Sequence, residues 1–224
     1  MASIDSLKEL LVDQLKDIYD AEKRLTKAIP KLAKKSTNDD LRAALEDHLQ
    51  ETEQQITRLE EAFEHLGERA KAKPCAGMRG IIEEGEEHVG EDYEDDDLRD
   101  AVIIGSAQRV EHYEIAAYGT AIAHAKLLGE DEVVQLLVES MNEEKAADEK
   151  LTEIAEGVVN IEAASGDEDD EDSDASGLGG MLRRGASASQ PRATAQARGG
   201  SSRAGGARKT SGGRKSSGSS RSRR

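Results

Sequence analysis

The chain has 224 residues, a formal net charge of −16, and only 2% aromatic residues against 36% hydrophobic ones. That length holds one domain and an appendage. Its single cysteine, Cys75, excludes an internal disulfide and a zinc site built on cysteines. No stretch approaches a membrane span, and the start MASIDSLKEL carries neither a basic leader nor an apolar core, so a cytoplasmic protein is expected.

The net charge hides two opposite blocks. Residues 1–175 hold all 47 acidic residues and 19 of the 31 basic ones, whereas residues 176–224 hold the other 12 basic residues and no acid. Such a body repels nucleic acid and such a tail attracts it. Apolar residues thin out near residue 162. Three parts are therefore expected: a folded domain over 1–160, an acidic linker over 161–175, and a disordered Gly/Ser/Arg-rich tail over 176–224.

The folded part reads as all-α, with Ala, Leu, Glu and Lys at helical spacing and no strand signal. A first helix begins after Ser3 or Asp5 and runs to about Lys35, with a kink or early end near Ile29 because Pro30 removes a backbone donor. One seam is Ile4, Leu11, Ile18, Leu25; its companion is Leu7, Gln14/Leu15, Glu22, Ile29. Glu22 thus stands where the pattern asks for leucine, and a bare buried carboxylate costs several kcal/mol unless a cation meets it. The alternative is an exposed glutamate on an imperfect stripe.

After the short turn KSTND a second helix spans about 39–66, striped by Leu41, Leu45, His48/Leu49, Thr52, Ile56, Leu59, Phe63 and Leu66, with Glu51 and Gln55 on the flank. Gly67 closes it and His65 suits its last turn structurally. Residues 67–96 form a long crossover containing the short amphipathic piece MRGIIEEGEEHV; Cys75 reads as a loop thiol and His88 as part of a solvated face. A helix over about 97–128 carries Ile104, Ala107, Glu111, Glu114/Ile115, Tyr118, Ile122 and Ala125. Past the turn at Gly129, a last helix over about 131–158 carries Val133, Leu137, Ser140/Met141, Glu144, Ala147/Asp148, Leu151, Ile154/Ala155 and Val158.

Short connections within each pair and one long crossover between the pairs match a ferritin-like antiparallel four-helix bundle. Every long helix places acids near its middle, so folding gathers Glu22, Glu51, Glu111 or Glu114, Glu144 and Asp148, with His48, at one depth. So many facing carboxylates do not all stay ionised without counter-charge. Two divalent cations bridged by carboxylates answer that problem, and oxygen-rich ligation with one imidazole suits iron or manganese. Tyr19, Gln55 and Tyr118 are placed to hydrogen-bond the ligands. The competing arrangement has the acids share protons or pair with Lys23, Arg109 or Lys145.

The segments LKDIYDAEKRLTKAIPKLA, LEDHLQETEQQITRLEEAF, GMRGIIEEGEE and EEKAADEKLTEIAEG, in that order and spacing, resemble the YciF-type stress-protein family of the ferritin-like superfamily over about residues 4–160. The resemblance implies a ferritin-like bundle, a di-metal centre, a homodimer, and a role in stress response or in metal and oxidative-stress handling. It points to Glu22, His48, Glu51, Glu111, Glu114, Glu144 and Asp148 as ligands and names no catalytic residue. One departure bears on activity. Di-iron bundles carry Glu-x-x-His on two helices; none of the five histidines here has Glu three residues before it, and the second helix offers the reverse, His48-x-x-Glu51. That speaks against ferroxidase, peroxidase or catalase chemistry, and an enzymatic reaction is left unassigned.

The tail offers a second function. Arg183, Arg184, Arg192, Arg198, Arg203, Arg208, Lys209, Arg214, Lys215, Arg221, Arg223 and Arg224 are spaced to neutralise phosphates of DNA or RNA without sequence readout, and the absence of aromatics excludes base stacking. The alternative protein is then a metal-free helical dimer whose tail binds nucleic acid. Two further readings have the tail lie on the chain's own acidic residues or serve as a solubilising linker.

Overall fold

The computed structural model describes residues 3–165, so residues 166–175 of the expected linker and the whole basic tail lie outside the described residues. The regular elements of the described part are all helices: α1 (Leu7–Lys35), α2 (Asp39–His65), α3 (Ala76–His88), α4 (Asp96–Leu128) and α5 (Asp131–Ile154). A π-helical turn, Ala155–Val159, continues α5, and helix resumes through residue 165, five residues beyond the expected end of the domain.

Local chemistry sets the boundaries. Ser6 caps α1, in place of the expected Ser3 or Asp5, its hydroxyl accepting from the Glu9 N–H at 3.1 Å while Glu9 reaches back to the Asp5 N–H at 2.6 Å. Ile4, assigned to the core seam, therefore precedes the helix and is 49% exposed. Pro30 does not end α1, which runs on to Lys35. It points outward, where water can satisfy the Thr26 carbonyl it leaves free, and the buried Ile29 and Ala33 beside it hold the turn to the core. Asn38 caps α2 by accepting from the Leu41 N–H, and Gly67 and Gly129 close α2 and α4 with φ of 71° and 73°, a region glycine enters without strain.

Asp100 decides the direction of α4. Fully buried in the first turns of α4, its carboxylate accepts from the Thr37 N–H (3.1 Å), the Thr37 hydroxyl (2.8 Å) and the Asn38 N–H (2.7 Å). The start of α4 is thereby tied to the turn between α1 and α2, so α2 and α4 run parallel and the chain between them must return along the bundle. It does so beside α1: the Lys73 N–H donates to the Lys16 carbonyl, Lys31 pairs with Glu86 at 2.6 Å, and Lys35 donates to the Val89 carbonyl. Helix α3 sits inside this return and lies on α4 closely enough that a Cβ on Gly77 would fall 2.7 Å from the Tyr113 ring. The packed neighbours are α1 with α2, α2 with α5, α5 with α4 and α4 with α1, every pair antiparallel. This is the ferritin-like four-helix connectivity.

The end of α5 departs from the expected stripe. Leu151, Ala155, Val159 and Ala163 are buried, each four residues after the last, whereas Val158 is 37% exposed. In an α-helix each step of four advances about 40° around the axis and would carry the row off the core. The wider π turn holds the row in place, at the cost of exposing Val158.

Candidate metal centre

Two separate apolar clusters make up the core. One gathers Leu25, Ile29, Leu41, Leu45, Met78, Ile103, Ile104, Val110, Leu151 and Val159; the other gathers Leu11, Leu15, Ile18, Leu59, Phe63, Tyr118, Ile122, Val133 and Leu137. Between them every long helix inserts polar side chains: Glu22 on α1, His48, Thr52 and Gln55 on α2, Glu111 and Glu114 on α4, Ser140 and Glu144 on α5, all buried. Helical periodicity brings the four interruptions to one depth because each lies midway along a rod of similar length.

Ligand atoms of His48, Glu111, Glu114 and Glu144 all lie within 4.8 Å of one another. Glu22 completes the layer, held by the Tyr118 hydroxyl, which donates to its Oε1 at 2.5 Å, and by a carboxyl–carboxylate contact with Glu114. The His48 Nε2 faces Glu111 at 3.5 Å and Glu144 at 3.7 Å, and its Nδ1 faces Glu51 at 3.3 Å. With Nδ1–H donating to Glu51, the Nε2 lone pair is turned into the layer, as a metal-ligating imidazole requires. Glu144 accepts from the Gln55 amide, which also donates to Glu143 at 3.1 Å.

The protonation pattern follows from burial. Burial drives the carboxyls of Glu22, Glu111 and Glu114 well above the ordinary carboxylate range, and the neighbouring acids push them further. Glu144 is also raised by burial, and hydrogen bonds from Glu111 and Gln55 and the charge of His48 work against the rise. The close approach of Glu114 to Glu22 and of Glu111 to Glu144 sets the acids of the layer against one another, so none of them ionises independently. For His48, burial pulls the imidazolium down, but the bond to Glu51 and the charges of Glu144 and Glu143 outweigh it, so it titrates above the usual histidine range.

Much of the layer is left unsatisfied. Buried polar atoms lacking a hydrogen-bond partner include Glu22 Oε2, His48 Nε2, Gln55 Oε1, Glu111 Oε2, both Glu114 oxygens and Glu144 Oε2. Such atoms are rare in folded proteins because each one costs about 1–3 kcal/mol. Of the unpartnered atoms found among the described residues, only the Ser106 hydroxyl lies outside the layer. A set of carboxylate oxygens and one imidazole nitrogen, converging and unpartnered, fits hard or borderline divalent cations.

Comparison with known proteins places the chain. A family model described as a domain of unknown function, DUF892, matches residues 6–164. The chain belongs to the DUF892 family. It is 41% identical over 162 residues to the protein YciF of Escherichia coli K12, spanning 72% of this chain and 97% of that protein. The solved structure of the E. coli stress protein YciF matches with a TM-score of 0.67 at 42% identity, over 70% of this chain and 99% of that one. YcfI from Rhodopseudomonas palustris matches with a TM-score of 0.66 at 46% identity, over 67% of this chain and 95% of that one. The YciF-type resemblance read from the four sequence segments is therefore shown.

Not every residue expected at the site of this DUF892 protein stands in the cluster. Glu22, His48, Glu111, Glu114 and Glu144 converge. Glu51 lies at the rim, its side chain 41% exposed, touching the layer through His48. Asp148 turns toward α4, where it accepts from Gln108 at 3.1 Å and pairs with the exposed His112 at 3.3 Å. The Tyr19 hydroxyl donates to Glu60 at 2.5 Å, and burial with that contact pushes its pKa up to about 12; it does not reach the centre. Tyr118 and Gln55 do, as expected of them. Lys23, Arg109 and Lys145, considered as counter-charges, are all exposed.

Other residues were not anticipated. Arg58, 11% exposed, clasps Glu143 through both guanidinium nitrogens at 2.6 Å, and Glu143 in turn holds Gln55. The spacing of Arg58 three residues after Gln55 was the available signal, since residues so placed share a helix face. Cys75, read as a loop thiol, is 1% exposed: its sulfur caps α3 by accepting from the Met78 N–H and contacts the Tyr113 hydroxyl at 3.0 Å. Burial pushes that thiol up and keeps it unreactive.

Two openings reach the layer of the DUF892 fold. A cleft of about 430 Å³ between α2 and α5, lined by Asp40, Asp47, Glu51 and Lys150 together with alanines and leucines, reaches His48 and Glu111. A smaller apolar cavity beneath α3 ends on the same two residues.

Proposed function

We propose that this protein binds two divalent cations, iron or manganese, in the layer formed by Glu22, His48, Glu111, Glu114 and Glu144, and works in stress response through metal or oxidative-stress handling. The observation that carries this reading is the convergence of buried, unpartnered carboxylate oxygens from three helices with the His48 Nε2 from the fourth. The relative named as a stress protein supports the setting. Bound cations would neutralise the carboxylates and supply Lewis-acid or one-electron chemistry.

The chain's own residues prepare the layer. Glu51 fixes the imidazole so that Nε2 faces inward. Arg58 holds Glu143, Glu143 holds Gln55, and Gln55 fixes the Glu144 carboxylate. Tyr118 donates to Glu22 Oε1, which orients that carboxyl and favours its ionised form. Metal loading must expel the protons of Glu111, Glu114 and His48, so affinity rises with pH. Asp40, Asp47 and Glu51, set against Lys150, give the cleft a net negative lining that draws cations toward His48.

Metal analysis of untagged protein, after reconstitution with each ion, tests the proposal. About two ions per chain are expected, with the ions lost in Glu22→Ala and Glu144→Ala; variants that hold as much metal as the parent contradict it. The family resemblance adds a homodimer, which light scattering checks, and the sequence reading adds a cytoplasmic setting.

A second reading rests on the twelve basic, acid-free residues of 176–224, which would bind DNA or RNA through phosphates alone. Gel shifts of the full chain and of residues 1–165 across a salt series decide it: equal mobility of nucleic acid with both ends the idea.

A further inference from the structure

Beneath α3 lies a cavity of about 40 Å³ walled by Leu25 and Ile29 of α1, Leu45 of α2, Ile82 of α3, and Ala107 and Val110 of α4. Its outer end is at Ala28 and the exposed Glu86; its inner end is His48 and Glu111. It touches the same His48 and Glu111 that the cleft between α2 and α5 reaches, so the centre has a second approach, walled by apolar side chains and without that cleft's cluster of charges. The hydroxyl of Ser106, 4% exposed and without a partner, is set into the apolar wall where Gly85 lets α3 sit close to α4.

We propose that this cavity binds a small uncharged apolar molecule, a diatomic gas such as dioxygen, and holds it against the His48–Glu111 edge of the layer. Size limits the occupant: the space takes about three water-sized atoms, since one water needs roughly 10–15 Å³ of such volume. Polarity limits it further. A bound water needs two to four polar partners, and between its two ends the wall offers only Ser106. Ions are excluded by desolvation, and a small alcohol or peroxide leaves hydrogen bonds unmet there. An apolar diatomic loses nothing of that kind. What the gas meets at the inner end rests on the metal reading above; its binding does not.

Xenon is the probe for the cavity. Crystals of the full chain, metal-free and manganese-loaded, are pressurised with xenon, and a single site among Leu45, Ile82 and Val110 is expected in both. Ala28→Leu, which fills the outer end, should abolish that site, and Ile82→Ala, which widens it, should raise its occupancy. No xenon in the parent cavity, or occupancy unmoved by Ile82→Ala, overturns the proposal whether or not Ala28→Leu folds. Nitric oxide added to iron-loaded protein tests delivery: uptake should be slower in Ala28→Leu and faster in Ile82→Ala, at equal iron content. Equal rates in all three overturn delivery. A chain that takes up no iron sinks the metal reading and leaves the xenon result to decide the cavity on its own.

Discussion

At the scale of single residues, the centre is a problem in proton accounting. Glu22, Glu111 and Glu114 are held well above the ordinary carboxylate range, first by burial, and His48 is held above its usual range by Glu51 and Glu144. The folded metal-free chain therefore binds these protons more tightly than the unfolded chain does. Their contribution to stability is whole below the unfolded values, about 4.3 for Glu and 6.5 for His, and is lost as pH rises through the raised folded values. Asp20, which the backbone N–H of Cys75 and Arg24 hold low against its burial, acts oppositely, but its contribution is lost only in acid. Metal-free protein should accordingly melt at a lower temperature at pH 8 than at pH 6, and added manganese should reverse that order; calorimetry at the two pH values checks both. Glu114→Gln imitates the protonated side chain, so at pH 8 it should stabilise the metal-free protein by roughly 1–3 kcal/mol while weakening metal binding, read by denaturant titration and metal analysis. Glu22 was legible from sequence because a lone carboxylate interrupts a regular leucine seam. Glu51 and Asp148 were not separable from the residues that converge in the layer, because residues three or four apart on a helix share a face and only the packing of the neighbour decides which one it covers.

At the scale of elements, two devices fix the bundle. Asp100 joins α4 to the α1–α2 turn through three donors, and removing it leaves two backbone N–H groups unpaired. Asp100→Ala should cost about 2–4 kcal/mol, measured by chemical denaturation, without altering metal content because the site lies turns away. The π turn at Ala155–Val159 keeps Leu151, Ala155, Val159 and Ala163 on one side. Val159→Ala should therefore cost about 1–2 kcal/mol, whereas Val158→Ala, on the exposed side, should cost almost nothing. Helix count, order and approximate ends were legible because apolar periodicity and glycine stops are local. The π turn was not: it becomes favourable only when the rest of the core demands a repeat of four, which a single helix read alone does not show. Pro30 misled for the same reason, since the cost of the missing donor depends on whether its partner carbonyl faces water.

At the scale of the whole molecule, an acidic helical body carries a buried polar layer between two apolar clusters, with a basic segment following it in sequence. A continuous core would be more stable than a divided one, and on the proposed metal reading bound cations would offset that cost. Diffraction from metal-loaded crystals, recorded at the manganese and iron absorption edges, tests this most directly. The account predicts two anomalous peaks inside the layer bounded by Glu22, His48, Glu111, Glu114 and Glu144. Peaks confined to surface groups such as His112 and Asp148, with none in that layer, would contradict it.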